Sequence, residues 1–192
     1  MIFFVKEIEN IPLFTPVFIS LLTGLRIGEL CGLRWTYIDF ENGYLTVNHQ
    51  VIQDKINKNL ILTDVLKTSA SHRNVSIPNI LINYLEHLRE ADIDYINGFV
   101  IKDRNGLMAT PRNVSMEFTK KVSKYENLKQ ISFHSLRHTH ATLLIFNGEN
   151  IKLVSDRLGH KDISVTLNTY PHVMEDMKRD TALLLDNIFN NL

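Results

Sequence analysis

The amino-acid sequence predicts a mostly α-helical protein with a small antiparallel β-sheet, that is, the α+β class. Apolar residues recur at helical spacing near the start of the chain and again after Pro78. Short β-type runs occupy the middle, and nearly everything from Phe133 onward has a helical pattern. The 192 residues are 44% hydrophobic and 22% charged, which is typical of one globular domain. We expect a single domain, with its core at about 12–175 and a helical segment at about 176–192.

The first predicted helix covers residues 16–30, because its apolar residues follow the helical spacing and Pro16 is tolerated in a first turn. The next part of the chain changes character. Short β-type runs at 44–47, 60–62 and 74–77 alternate with polar, turn-prone stretches. We interpret these runs as one small antiparallel sheet with a flexible tip at 67–72.

Helical patterns return after Pro78, where apolar residues of 80–88 share one face. A helix at 111–125 ends in a basic run, and the helix that follows Phe133 stops at Asn147-Gly148, a C-cap pair. The remaining helices are predicted at 150–158, 164–170 and 173–189.

Composition excludes several classes of protein. Lys+Arg and Asp+Glu each total 21, so the formal net charge is zero and the chain is not a bulk polycation. Cys31 is the only cysteine, which rules out an intrachain disulfide. Apolar runs are too short to span a membrane, and the N-terminus lacks a signal-peptide pattern. We therefore expect a cytoplasmic protein without a membrane partner.

A charged pair interrupts the apolar segment at residues 23–30 (TGLRIGEL). Arg26 lies between two glycines there, and an arginine in such surroundings needs an anion or a hydrogen-bonding partner. One interpretation is an ion pair with Glu29, three residues further along a helix. The other is a phosphate or carboxylate ligand, and the residues leave both open.

Residues 134–140 (HSLRHTH) are the densest group of imidazoles and cations. His134 and Arg137 share one helical face, with His138 also near. His134 and His138 have the i,i+4 spacing of zinc ligands, but the glutamate of the zinc-protease helix is missing and Arg137 would repel a dication. We expect His138 and His140 to be structural histidines.

Together with later motifs, these residues resemble the tyrosine recombinases, the phage-integrase type of site-specific recombinase. The similarity runs from about residue 16 to residue 172, with the motifs in order and at sensible spacings. In chain order, the matching pieces are Arg26 in its TGLRxGEL context, Lys67 on the predicted hairpin, His134-x-x-Arg137, Leu-Gly-His160, and Tyr170 ten residues later.

The resemblance implies the chemistry of the site. Tyr170 would attack a DNA phosphodiester and hold the 3′ end as a phosphotyrosine, which frees a 5′-hydroxyl. Arg26 and Arg137 would fork onto the nonbridging phosphate oxygens, and Lys67 would protonate the leaving 5′ oxygen. Pro171 biases Tyr170 away from α geometry, so we expect an extended or turn conformation at this residue.

Other residues receive supporting roles from the same resemblance. His134 would accept a proton or hydrogen-bond the phosphate, and His160 would donate to the phosphate. Glu29 is expected to orient the nearby arginine or the hairpin, while Thr68 and Arg73 are expected to bind DNA. Neither a metal nor a cofactor is expected, because the cations neutralise the phosphate and the phosphotyrosine conserves the bond energy.

The implied partner is double-stranded DNA, with self-association on DNA as in the tetrameric synapse of the family, in a bacterium, phage or mobile element. Family members usually carry a separate N-terminal DNA-clamping domain, which we expect to be absent from these 192 residues. Two alternatives stay open: a non-catalytic DNA-binding remnant of a mobile-element integrase, and a type IB topoisomerase-like relaxing enzyme. The final predicted helix would pack on its own domain or on a neighbouring protomer.

Overall fold

The computed structural model describes residues 6, 8, 9, 11–54, 59–64, 73–93, 98–125 and 131–171. Helices carry most of the regular structure in these ranges. They are α1 (Phe14–Thr23), α2 (Ile27–Cys31), α3 (Asn79–Glu90), α4 (Pro111–Val122), α5 (His134–Phe146), α6 (Ile151–Leu158) and α7 (Ile163–Thr169), with a 3-10 turn at Trp35–Tyr37.

The described strands form two small antiparallel sheets. They are β1 (Ile38–Asp39), β2 (Tyr44–Val47), β3 (His49–Gln53), β4 (Leu60–Asp64) and β5 (Arg73–Ser76). The first sheet has the order β1-β2-β5, with Leu45 opposite Val75 and Val47 opposite Arg73. The second sheet pairs β3 with β4. The mostly α fold with small antiparallel sheets confirms the predicted α+β class.

The chain divides into two compact units, residues 1–140 and 141–192. In the first unit, the described helices and both sheets enclose one apolar core. Its fully buried side chains include Leu25 just before α2, Leu30 of α2, Leu45 of β2 and Phe118 of α4. Cys31 is also buried there, and burial raises the pKa of its thiol to about 12.

The second unit has a smaller core of its own. Ala141 and Ile145 of α5 pack with Val154 and Leu158 of α6, and Tyr170 joins them. Helix α6 is fixed at both ends: the Asn150 side chain accepts the backbone N–H of Lys152, and α6 ends at Gly159. Gly159 has a φ of 66°, a left-handed conformation that glycine adopts without a steric penalty.

Gly24 divides the first predicted helix in two. The helix expected at 16–30 is instead α1 and α2, because Gly24 adopts a φ of 70° and its N–H donates to the Ser20 carbonyl at 2.9 Å. A left-handed residue ends an α-helix. Arg26 therefore lies at the start of a new helix, with an extended backbone (φ −67°, ψ 148°), rather than inside a continuous one.

The three predicted strand runs are confirmed, but their pairing differs from the single sheet that we expected. The missed strand β3 pairs with β4, and this leaves β5 to pair with β2. Asn48 lies outside both strands, so the chain changes partner between Val47 and His49. The predicted tip at 67–72 lies outside the described residues.

The helices predicted between Pro78 and Tyr170 are present, with ends that differ by a few residues at most. The segment predicted as a helix at 173–189 lies outside the described residues. In the part of the chain that the structure describes, no helix has the length and apolarity required to cross a bilayer.

Gly28 allows α2 to lie against β3. A Cβ atom added at Gly28 would lie 2.8 Å from the Val51 carbonyl oxygen, which belongs to the backbone and cannot rotate away. Helix propensity by itself favours alanine over glycine by roughly 1 kcal/mol. Steric crowding of this kind typically costs about 1–3 kcal/mol.

We expect Gly28→Ala to destabilise the protein, because the clash with Val51 outweighs the gain in propensity. Urea denaturation measures the free energy of unfolding of this variant. Asn83→Ala, at an exposed position in α3, is the control in which propensity acts alone. Stabilisation by Gly28→Ala would contradict the close approach of α2 to β3.

Candidate active site

Arg26 and Glu29 form the ion pair that their spacing predicts. The Arg26 backbone N–H donates to Glu29 Oε2 at 2.9 Å, and Arg26 Nη1 donates to Glu29 Oε1 at 2.9 Å. The first bond caps the N-terminus of α2. The Arg26 side chain nevertheless remains 41% exposed. Ion pairing and an anion ligand, the two interpretations of this arginine, are therefore compatible.

The Glu29 carboxylate is buried, with 1% of its side chain exposed, and it has a second guanidinium partner. Arg73 of β5 donates from Nη1 to Oε1 at 3.1 Å and from Nη2 to Oε2 at 2.8 Å. Burial by itself raises the pKa of Glu29. The hydrogen bond and charge of Arg73 and the charge of Arg26 outweigh burial, and together they lower that pKa from 4.5 to about 2.

Arg137 lies on α5 and is tied to the segment that carries Arg26. Its Nη1 donates to the Gly24 carbonyl at 2.7 Å, and the residue is only 4% exposed. One turn further along α5, a ring nitrogen of His140 lies 2.8 Å from the Leu21 carbonyl. These two contacts attach α5 to the C-terminal end of α1. His140 thus has the structural role expected of it.

His134 and His138 lie side by side on α5, with ring centroids 4.6 Å apart and ring planes at 87°. Burial lowers the pKa of His134, and the charges of His138, Arg137 and Arg26 lower it further. Burial and Arg137 likewise lower the pKa of His138. Both imidazoles are therefore mainly neutral at pH 7, with a nitrogen able to accept a proton. Over the described ranges, no three His, Cys, Asp or Glu side chains form a metal-binding group.

In the second unit, His160 and Tyr170 both contact Thr166 of α7. A ring nitrogen of His160 lies 2.8 Å from Thr166 Oγ1, and the Tyr170 backbone N–H donates to the Thr166 carbonyl at 3.1 Å. Thr166 is fully buried. One threonine therefore orients the imidazole and also fixes the backbone of the tyrosine. Sequence reasoning missed this residue, because its i,i+4 spacing to Tyr170 is not distinctive until the contact with His160 is known.

Tyr170 is the first residue after α7 and has a non-helical backbone, with φ −121° and ψ 43°. This conformation agrees with the expectation that Pro171 disfavours α geometry in the residue before it. The Tyr170 side chain lies in the apolar cluster of the second unit, and the residue is 6% exposed.

The predicted site residues divide according to the two units. Arg26, Glu29, Arg73, His134 and Arg137 belong to the first unit, where the contacts and pKa shifts above link them. The remaining predicted residues are placed differently: His160 and Tyr170 belong to the second unit, and Lys67 and Thr68 lie outside the described residues.

Comparison of the whole chain with solved structures identifies the class of protein. The Tn1549 transposon integrase in complex with circular intermediate DNA is 26% identical, with a TM-score of 0.77 over 92% of this chain and 63% of that chain. The XerA recombinase, 18% identical, shares the fold with a TM-score of 0.71 over 93% of this chain and 59% of its own. The fold is that of tyrosine recombinase catalytic domains.

The profile of the phage integrase family matches residues 6–177, and the chain belongs to this family. A tyrosine recombinase XerC-like protein of Caldanaerobacter subterraneus is 35% identical over 87% of this chain and 47% of its own length. The ICEBs1 integrase of Bacillus subtilis is 30% identical over 88% of this chain and 47% of its own length. The chain thus spans about half the length of the curated relatives it matches.

We expect Glu29→Gln to destabilise the protein at pH 7 by about 3–5 kcal/mol, because it leaves the buried Arg73 guanidinium without its countercharge. The ionised Glu29 stabilises the wild type above pH 4.5, and this contribution is lost as the pH falls toward 2. Urea denaturation between pH 3 and pH 7 should therefore give a flatter pH dependence for Glu29→Gln than for the wild type.

The matched control is Glu90→Gln, which removes an exposed carboxylate at the end of α3. We expect this variant to keep the wild-type pH dependence over the same range. Equal pH dependence for Glu29→Gln and the wild type would contradict the stabilising role of the buried carboxylate.

Proposed function

We propose that this chain supplies the catalytic part of a site-specific recombinase, which cleaves and rejoins DNA strands through a 3′-phosphotyrosine intermediate. The observation that carries the proposal is the anchoring of Arg26 and Arg137 to one short segment, residues 24–29. Glu29 holds Arg26, and the Gly24 carbonyl accepts a hydrogen bond from Arg137. Two guanidiniums fixed to one segment suit the nonbridging oxygens of a single phosphate.

The electrostatics of the first unit favour phosphoryl transfer. Phosphoryl transfer depends mainly on positioning and on stabilising negative charge in the transition state. Guanidinium groups such as these of Arg26 and Arg137 supply permanent positive charge. Burial lowers the pKa of His134 and the same positive charges lower it further, which supports a neutral imidazole that accepts a proton. The side chains thus combine charge stabilisation with a base.

Tyr170 is the proposed nucleophile. Its Oη attacks phosphorus, its phenolic proton passes to a base such as His134, and the bond from phosphorus to O5′ breaks. The 5′ oxygen leaves with a proton from Lys67, and His160 donates a hydrogen bond to the phosphate. Religation reverses the step, when a 5′-hydroxyl attacks the phosphotyrosine. Because Tyr170 is only 6% exposed, its ring must leave the apolar cluster before it can attack.

The proposed substrate is double-stranded DNA, and DNA complexes of similar proteins support this choice. The Tn1549 integrase was solved with circular intermediate DNA, and a λ integrase dimer was solved bound to a core site. We further propose that the chain acts as a single catalytic domain with a C-terminal helical segment. A separate DNA-clamping domain and self-association on DNA would complete the recombinase in the bacterial or phage-infected cell. No observation favours the remnant or topoisomerase alternatives.

We expect Tyr170→Phe to abolish covalent adducts on a nicked suicide duplex, because the variant lacks the attacking hydroxyl. DNA affinity should stay within about twofold, since the phenyl ring keeps its packing. Denaturing gel electrophoresis measures the adduct, and fluorescence anisotropy measures the affinity. Tyr44→Phe, at a partly exposed tyrosine of β2, is the matched control and should still form adducts. An adduct with Tyr170→Phe would remove Tyr170 as the nucleophile.

We expect Lys67→Ala to slow cleavage of an ordinary duplex by at least about a hundredfold, since proton donation to a poor leaving group is lost. Replacing the 5′-bridging oxygen with sulfur gives a leaving group that needs no proton, and this substrate should largely rescue the variant. The measurement is the single-turnover cleavage rate of the variant and of the wild type on both substrates. Lys152→Ala, an exposed lysine of α6, is the control. Equal losses on both substrates would remove Lys67 from the general-acid role.

A further inference from the structure

Arg73 has little access to a ligand, although the family resemblance implies that it binds DNA. Its side chain is 8% exposed, whereas that of Arg26 is 41% exposed. Arg73 is the first residue of β5 and lies opposite Val47 of β2, so its backbone is held by the sheet. A buried guanidinium on a fixed strand acts most directly on the groups that it touches, and Glu29 is one of them.

The Glu29 carboxylate receives four hydrogen bonds from residues that the structure describes. Oε1 accepts from Arg26 Nη1 at 2.9 Å and from Arg73 Nη1 at 3.1 Å. Oε2 accepts from the Arg26 backbone N–H at 2.9 Å and from Arg73 Nη2 at 2.8 Å. The two bonds from Arg73 form the planar fork that a guanidinium makes with a carboxylate. This fork fixes the plane of the carboxylate to which Arg26 also binds.

The charges give Arg73 a second effect on Arg26. Glu29 and Arg73 together are neutral, so the three side chains have a net charge of +1, and Arg26 is the most exposed of them. Without Arg73, the buried carboxylate would have Arg26 as its partner in a neutral pair. This neutral pair would attract a phosphate less strongly than Arg26 does when Arg73 already neutralises the Glu29 carboxylate.

We propose that Arg73 is a positioning residue: it fixes and neutralises Glu29, so that Arg26 keeps its orientation and its net positive charge for the scissile phosphate. This inference rests on the proposed function for the role of Arg26. It assigns Arg73 to catalysis through Glu29 rather than to DNA contact.

The first test observes Arg26 without DNA. In ¹⁵N-labelled protein, the guanidinium resonances of Arg26 are assigned from their loss in Arg26→Lys and then followed in Arg73→Lys and Arg73→Met. Lysine keeps the positive charge but cannot form the planar fork. We expect the Arg26 resonances to shift in both variants and to stay unchanged in Arg104→Lys, which alters an exposed arginine in the turn after Asp103. Unchanged Arg26 resonances in the folded Arg73→Lys variant would overturn the proposal.

The second test measures adduct formation on a nicked suicide duplex at saturating DNA. We expect the rate to fall by at least about tenfold in Arg73→Lys and further in Arg73→Met. In Arg73→Lys, which keeps the positive charge, DNA affinity should stay within about twofold, and the slope of log affinity against log salt should be unchanged. A lost phosphate contact would instead lower that slope by about one and weaken affinity at every sequence. That result, or a wild-type rate in Arg73→Lys, would overturn the positioning role.

A double-mutant cycle with Glu29→Gln tests whether Arg73 affects the rate of adduct formation through Glu29. If Arg73 acts through Glu29, the rate loss from Arg73→Lys should largely disappear in the Glu29→Gln background. Additive losses would overturn the route through Glu29. If Glu29→Gln does not fold, Glu29→Asp takes its place, since its shorter side chain cannot hold both guanidiniums in the same geometry.

The Arg26 resonances and the rate of adduct formation test different statements, so failure of this inference can be told apart from failure of the proposed function. A wild-type chain that never forms an adduct, even with a DNA-clamping domain supplied, would overturn the proposed function. The Arg26 resonances would still decide whether Arg73 positions Arg26.

Discussion

The buried carboxylate of Glu29 is the constraint on which the first unit depends. A buried, ionised carboxylate costs several kcal/mol unless charged partners with good geometry surround it. The chain supplies these partners from two places, the N-terminus of α2 and the first residue of β5. Helix α2 must therefore lie close to the sheets, and Gly28 permits this by leaving the Val51 carbonyl room. The orientation of Arg26 is thus a consequence of folding, present before any ligand binds.

The helices were predictable because their apolar periodicity extends over several turns, as in α3 and α4. The break at Gly24 was harder to predict, because apolar residues continue at helical spacing through Leu25 while a single left-handed residue ends the helix. Strand pairing was even harder to predict from the sequence. The pairing of β5 with β2 depends on which strands meet in three dimensions, and strand β3, with the sequence HQVIQ, lacks a strong alternating pattern.

In the candidate site, too, contacts between residues close in sequence were predictable, and contacts between distant residues were not. The pairing of Arg26 with Glu29 follows from three-residue spacing, whereas Arg73 reaches Glu29 across 44 positions of the chain, and no local pattern indicates that contact. The fork makes Arg73 an internal countercharge although its sequence context suggested an external contact. Thr166 illustrates a different difficulty: its spacing to Tyr170 is visible, but a threonine becomes notable only when its partners are known. The roles assigned to Lys67 and Thr68 stay predictions.

The Tyr170 side chain packs in an apolar cluster, and this packing competes with the exposure that its proposed role in DNA cleavage requires. Its ring packs with the apolar residues that form the core in the described part of the second unit, so this part is stabilised by the group that the proposed reaction needs outside. Substitutions that tighten this cluster would lower the population of the exposed tyrosine, and substitutions that loosen it would weaken the unit. Selection on these neighbouring positions would then favour intermediate stability, with Ala141, Ile145, Val154 and Leu158 setting how readily the proposed nucleophile becomes available.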